Sequence, residues 1–469
     1  MAQRTRTIND RIGACCSLDA TRSEAFRCWR ARIPAGVSTT ILASSRTPSK
    51  RTLQVPGDRR TDYGTSRPRQ RPRRGNGRAN EFTSMHRKPM HIAPFTIRVP
   101  DEVLSDLRTR ISNTRWPTQA PGAAWAQGTD LDYLKRLLAY WANGFDWLAQ
   151  ESRLNTFKHF RAQLGDIHVH FVHERAREGN GIPLILTHGW PSSFLELLPL
   201  VPLLTNPKAN GIDAPAFDIV IPSLPGYGFS ERPAQASYRT VARMWHELMH
   251  GLGYERYGAG GGDFGAGVAT YMALENPAPM IGIYLTTMEL WPPAGEGTRP
   301  FTEAERAYVT EVRQWDEVER GYSAIQSTRP QTLGYALNDS PAGLAAWILE
   351  KWRAWADSGG DLDARFSREF LLTMLTLYWV TETITPSMRD YFDNRWHGAE
   401  IQPGDRVQVP VGFANFDHNY VSAGSPPREW AERLYDIRRW TSMPSGGHFG
   451  AAEEPERLAR DIAAFFTEF

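Results

Sequence analysis

Thiols are missing from most of this chain. The three cysteines, Cys15, Cys16 and Cys28, all fall in the first 84 of 469 residues, so the remainder can hold neither a disulfide framework nor a cysteine-based metal site, as expected of an ordinary intracellular enzyme of the cytoplasm. Long apolar runs are also missing. No uninterrupted stretch reaches about 18 residues, and no membrane-spanning helix is expected. There is no internal repeat. Acidic residues are scarce at the start: residues 1–84 hold 17 Arg and one Lys against six acids, a net of +12, which leaves −10 for the rest of a chain whose total is +2. The overall pI of 8.4 therefore describes neither part. The leader lacks hydrophobic periodicity and carries the run Arg67-Pro-Arg-Gln-Arg-Pro-Arg-Arg-Gly75, a composition that cannot offset its ordering entropy. It is expected to be a disordered tail, or the product of a start assigned upstream of Met85 or Met90. Organelle targeting and nucleic-acid contact are the alternatives for such a basic segment, and no nucleic-acid partner is expected for the folded part.

What is present is 41% apolar residues, enough for one large domain with insertions. Phe95-Thr-Ile-Arg-Val-Pro100 precedes Asp101, a candidate cap for a helix over 102–109. A second helical pattern covers 131–145. Ile167, Val169 and Phe171 alternate with His168, His170 and His173 nearby, the pattern of a half-exposed strand. Short apolar runs then recur at 183–187, 217–222, 257–262, 281–287 and 407–414, with helical patterns such as 240–251 and 266–275 between them. This alternation predicts an α/β fold with a mainly parallel sheet and helices on both faces. Residues 292–395 interrupt it with amphipathic helical sequence, including Leu344, Trp347, Ile348, Lys351, Trp352 and Trp355. An insertion there would form a cap over the strand ends, its aromatic stripe serving helix packing. The expected layout is a region at 85–180 packed on a core of 181–291 and 396–469, with the cap at 292–395.

Gly261-Gly262-Asp263-Phe264-Gly265 has the form of the strand-to-helix elbow that bares a nucleophile, with aspartate in place of serine. A carboxylate is ionised at neutral pH and can displace a leaving group from saturated carbon, giving an ester on the enzyme. Strained ethers and alkyl halides are the electrophiles it suits. The competing reading is that Asp263 merely caps the following helix. Leu186-Thr-His-Gly-Trp-Pro191 follows a predicted strand where a second oxyanion donor belongs, so the amides of Trp190 and Phe264 are expected to bind the oxyanion formed when water attacks the ester. His188 would fasten this loop. His448, in Gly446-Gly-His-Phe449, comes last in the chain and fits the proton acceptor for the attacking water; His397 and His418 fit less well.

These motifs, together with Asn113-Thr-Arg-Trp-Pro117, Pro225-Gly-Tyr-Gly-Phe-Ser230 and Ala336-Leu-Asn-Asp-Ser-Pro341, resemble those of the epoxide hydrolases of the microsomal and juvenile-hormone type, from about Pro94 to the end. The resemblance implies an α/β-hydrolase core, a helical cap, a small-molecule epoxide as substrate and no metal or organic cofactor. It places two proton-donating cap tyrosines at Tyr322 (Gly321-Tyr-Ser-Ala-Ile-Gln326) and Tyr391 (Arg389-Asp-Tyr-Phe-Asp-Asn394). The acid that orients His448 would fall on Asn419, which cannot serve; Glu289, at the end of the strand after the elbow, and Asp417 are the substitutes, Glu289 slightly favoured. Haloalkane dehalogenation with the same Asp and His, or a silent ligand-binding scaffold, are the rival functions. Neither the oligomeric state, a dimer included, nor the particular epoxide can be read from these residues.

Overall fold

The computed structural model describes residues 90–293, 298–418 and 426–469. The basic leader and Asn419 lie outside these. Among the described residues nine strands build one sheet: β1 (Ile92–Phe95), β2 (His159–Leu164), β3 (Ile167–Glu174), β4 (Ile182–Thr187), β5 (Phe217–Pro222), β6 (Tyr257–Gly261), β7 (Met280–Leu285), β8 (Pro410–His418) and β9 (Asp436–Gly447). Their order is β1-β2-β3-β5-β4-β6-β7-β8-β9. β1, β2, β3 and β5 pair antiparallel, and every pairing from β5 to β9 is parallel. The strands at the centre are short and apolar because they are covered on both sides; β5, Phe-Asp-Ile-Val-Ile-Pro, is buried throughout.

β4 lies between β5 and β6, so the chain reverses its direction of travel across the sheet there. Loops leaving β4 and β6 diverge from such a point and open a crevice at the carboxyl ends of the strands. Thr187 and Gly261 are register partners at those ends, and this brings the His188-Gly-Trp-Pro loop beside the Asp263 elbow.

Between β7 and β8 the chain forms a run of helices from Glu303 to Trp396. Local chemistry starts them. Thr302 and Glu305 make a reciprocal capping box, and Ser340 caps the helix Pro341–Trp355, which has proline in its first turn. The apolar stripe of that helix is buried at Leu344, Ile348, Trp352 and Trp355. Trp352 stacks on Phe449 with ring centroids 3.7 Å apart and donates its indole N–H to the Pro191 carbonyl, so the stripe packs directly on the loops of the site.

Two expectations require correction. Pro100, not Asp101, holds the N-cap position of the first helix, Asp101–Ser112, and Asp101 sits in the first turn, where its charge favours the helix dipole. β3 is not half-exposed. It is flanked by β2 and β5, and only His168 along it is open to solvent. His170 and His173 are buried because they have partners: His170 bridges His159 and Ser223, and His173 meets the Tyr254 hydroxyl.

Candidate active site

Asp263 follows β6 with φ +50° and ψ −128°, a conformation that costs a non-glycine residue about 1–3 kcal/mol. The elbow is held by its surroundings: the Asp263 amide donates to Thr287 Oγ1 at 2.6 Å, and a Cβ at Gly261 or Gly265 would overlap the Thr187 carbonyl. Although Asp263 stands at the N-cap position of the helix Phe264–Glu275, its side chain makes no cap hydrogen bond. Its carboxylate turns instead toward the crevice. Oδ1 accepts from the Trp190 amide at 2.9 Å, and Oδ2 lies 3.6 Å from His448 Nε2. Gly189 is needed on this loop because a Cβ there would overlap the Asp263 side chain. Phe264 is the first residue of the helix after the elbow.

His448 is fixed by its backbone and by rings. Its amide donates to the Trp355 carbonyl at 2.9 Å, and its imidazole meets the Trp355 ring edge-on at 5.0 Å. Glu453 shapes the same turn by accepting from the amides of Phe449 and Asp357. His188 is bound at both ring nitrogens, one near the Gly189 carbonyl and one accepting from the Leu224 amide. Burial holds it down to about 4, so it is a neutral tie between loops. Among the described residues no group of His, Cys, Asp and Glu is arranged to hold a metal ion.

The carboxyls around Asp263 are unusual. Glu289 is half-buried, accepts from the Tyr238 hydroxyl at 2.7 Å and is pushed up to about 7, first by loss of water around the carboxyl and then by the charge of Asp263. Glu196 is likewise raised to about 7 by burial. Sequence reasoning missed Glu196, although a lone acid inside Phe194-Leu-Glu-Leu-Leu198 was the available signal. It borders a cavity of about 20 Å³ shared with Asp263, His448, Gly189 and Ser192, room for a single water. Asp417 is exposed at the end of β8, and the neighbouring His418 lies 3.6 Å from Asp357. His397 is exposed just past the cap helix Ile384–Trp396.

The two tyrosines come down from the cap onto the residues flanking Asp263. The Tyr322 ring lies parallel to Trp190 at 5.5 Å; the Tyr391 ring stands edge-on to Phe264 at 4.9 Å and to Trp190 at 5.7 Å. The two phenol rings are 5.8 Å apart. Burial raises both, and the charge of Asp263 adds to it. A buried clamp sets the height of Tyr391. Arg232, in the core loop after β5, reaches Asp390 Oδ1 at 2.6 Å and Asp393 Oδ2 at 2.7 Å. Asp393 also accepts from the Ala236 amide, and Asn394 from that of Tyr238.

A parallel sheet reversing at β4, a strained carboxylate on the elbow after β6 and a late histidine facing it define an α/β-hydrolase. Residues 182–333 match the alpha/beta hydrolase fold family and residues 92–197 the epoxide hydrolase N-terminus family. The chain is 36% identical to epoxide hydrolase 1 of Oryctolagus cuniculus over 80% of its length and 88% of the relative. It is 34% identical to juvenile hormone epoxide hydrolase 2 of Ctenocephalides felis, over 80% and 85%. The crystal structure of the juvenile hormone epoxide hydrolase of the silkworm Bombyx mori superposes with a TM-score of 0.72 at 29% identity, covering 82% of this chain and 96% of that one. The chain belongs to the microsomal and juvenile-hormone family of epoxide hydrolases.

Proposed function

We propose that the protein converts an epoxide and water into a vicinal diol through an ester on Asp263. The observation that carries this reading is the two-sided setting of that carboxylate, Oδ1 on the Trp190 amide and Oδ2 facing His448. Oδ2 attacks an epoxide carbon, the ring C–O bond breaks, and its electron pair takes a proton from Tyr322 or Tyr391, giving a hydroxyl and a phenolate. An alkoxide is more basic than a phenolate even where burial raises the phenol, so the proton passes from tyrosine to the epoxide oxygen. Water then gives a proton to His448 and attacks the ester carbonyl. Its oxyanion, on Oδ1, is held by the amides of Trp190 and Phe264. Collapse breaks the bond between the carboxyl carbon and the alkyl oxygen, which takes the proton from imidazolium at His448 and leaves as the diol, while the carboxylic acid left at Asp263 gives its proton back to the phenolate, restoring the starting state. The small cavity between Asp263 and His448 suits this water.

Glu289 is the partner we assign to imidazolium at His448. It is half-buried in the loop after β7, anchored by Tyr238 and electrostatically linked to both His448 and Asp263; Asp417 is exposed at the end of β8, with no such anchor among the described residues. The test is trapping. With styrene oxide the parent protein should release phenylethanediol, and His448→Gln should accumulate protein heavier by one whole substrate on intact-mass analysis. A diol-forming parent whose His448→Gln variant never carries the added mass defeats the ester scheme.

A further inference from the structure

Lys351 sits on the inner face of the cap helix Pro341–Trp355 with only 6% of its side chain exposed. Lysine is almost never so deeply buried unless paired, and its pairing here is lopsided. Glu350 Oε2 lies 2.7 Å from Nζ, yet that glutamate is the more solvent-exposed of the two at 28%. The ammonium stands over aromatic rings, 4.7 Å from the centroid of Tyr322 and 5.8 Å from that of Trp355. Tyr322 in turn lies against Trp190, whose amide holds Asp263. Packing alone would be served by a methionine.

Ring opening moves one unit of negative charge. Before the step it is on Asp263; afterwards Asp263 is a neutral ester, the epoxide oxygen carries a proton, and the charge rests on the phenol that gave it. For Tyr322 that product is unfavourable in its setting, because burial and the charge of Glu289 resist ionisation of the phenol once Asp263 has become a neutral ester. The Tyr391 hydroxyl and Arg320 act in the opposite sense, but the first is a neutral donor, and the second is 45% exposed and paired with Asp316 at the surface, where water screens it. Lys351 is the cation placed on the ring itself and away from solvent. A phenolate spreads its charge into the ring, so an ammonium over the face attracts it more strongly than it attracts the neutral phenol.

We propose that Lys351 is the counter-charge to Tyr322, stabilising the phenolate that forms as the epoxide oxygen is protonated and so speeding ring opening through that tyrosine. The proposal rests on Tyr322 being a proton donor, and the experiment separates the two claims. Single-turnover reactions with excess enzyme and styrene oxide, quenched and analysed for ester and diol, give the rates of alkylation and of ester hydrolysis independently. Lys351→Met should slow alkylation roughly tenfold or more while hydrolysis of the ester changes by less than about twofold. Lys351→Arg, which keeps the charge over the ring, should recover most of the loss. In a Tyr322→Phe background, Lys351→Met should cost nothing further. An unchanged alkylation rate in Lys351→Met overturns the proposal, as does an equal loss with and without the Tyr322 hydroxyl, which would mark a packing role. If Tyr322→Phe alone alkylates at the parent rate, the reading of Tyr322 as acid fails first. Should Lys351→Met fold poorly by thermal melt, Lys351→Gln makes the same comparison with a neutral polar chain.

Discussion

Asp263 is aimed by backbone, whereas Tyr391 is aimed by charge. On the core side, the nucleophile, its amide donor and the loop that carries them are neighbours through strand register, and glycines at 189, 261 and 265 make room for the bend. On the cap side, the tyrosine helix is seated by Arg232, which is 158 residues from Asp390 in the chain and buried with it. A backbone device tolerates change around it so long as the small residues stay. A buried ion-pair device fails when one partner goes, because the other charge is left without water or a counter-ion. The two halves should therefore break in different ways.

The largest effect belongs to the core half. Asp263→Ala removes the attacking atom, and turnover of styrene oxide should fall by roughly 10⁴-fold or more while the fold is kept, with a melting temperature unchanged or slightly lowered because alanine at φ +50° is no less strained than aspartate. Residual turnover close to that of the parent would take the carboxylate out of the mechanism. Next comes the cap half. Changing Tyr322 and Tyr391 together to Phe should slow alkylation by roughly 10²- to 10⁴-fold, while an ester already formed is hydrolysed at the parent rate. A loss in both steps would mean that the rings shape the site and do not act as acids. Arg232→Met comes third. It strands Asp390 and Asp393 in the interior and should lower the unfolding free energy by about 3–5 kcal/mol in urea titration; a loss under about 1 kcal/mol would show the cap seated by packing instead.

The same contrast explains what could be read before the structure was known. The helix over Pro455–Phe466, the strand over Phe217–Pro222 and the elbow at Asp263 are local events, specified by proline at a first turn, by a short apolar run and by glycine spacing. β3 was legible as a strand but not as buried, because the partners of His170 and His173 lie 53 and 81 residues on, at Ser223 and Tyr254. β8 extends through Phe416 and Asp417 to His418, past the end expected at Ala414, since polar residues at a paired strand end carry no apolar signal. The Arg232 clamp, Glu196 and the position of Lys351 over Tyr322 are contacts between distant segments. Composition marks none of them. A motif identifies the atoms that react more readily than the atoms that hold them.

The smallest expected effect is one of pH, and it sets a core carboxyl against a cap carboxyl. Glu196 in the core and Asp390 in the cap are both raised by burial, to about 7 and about 6. In each case the folded state binds its proton more tightly than the unfolded chain, so stability from that group is greatest in acid and falls as pH rises from the unfolded value, near 4.3 for Glu and 3.9 for Asp, through the folded one. Glu196 leans on the Ser192 hydroxyl, with His448 as a weaker favourable influence. Glu196→Gln removes the decline, and relative to the parent it should gain about 1 to 3 kcal/mol between pH 4.5 and pH 8 in urea titrations. Asp390 has Arg232 at 2.6 Å. Asp390→Asn leaves that guanidinium with Asp393 alone and should lower stability throughout the range, but it too removes a decline, and its gain relative to the parent from pH 4.5 to pH 8 should be smaller than that of Glu196→Gln because the folded value is raised less. Equal gains from both substitutions would erase the distinction between the halves, since they would mean that the clamp contributes burial cost and no attraction.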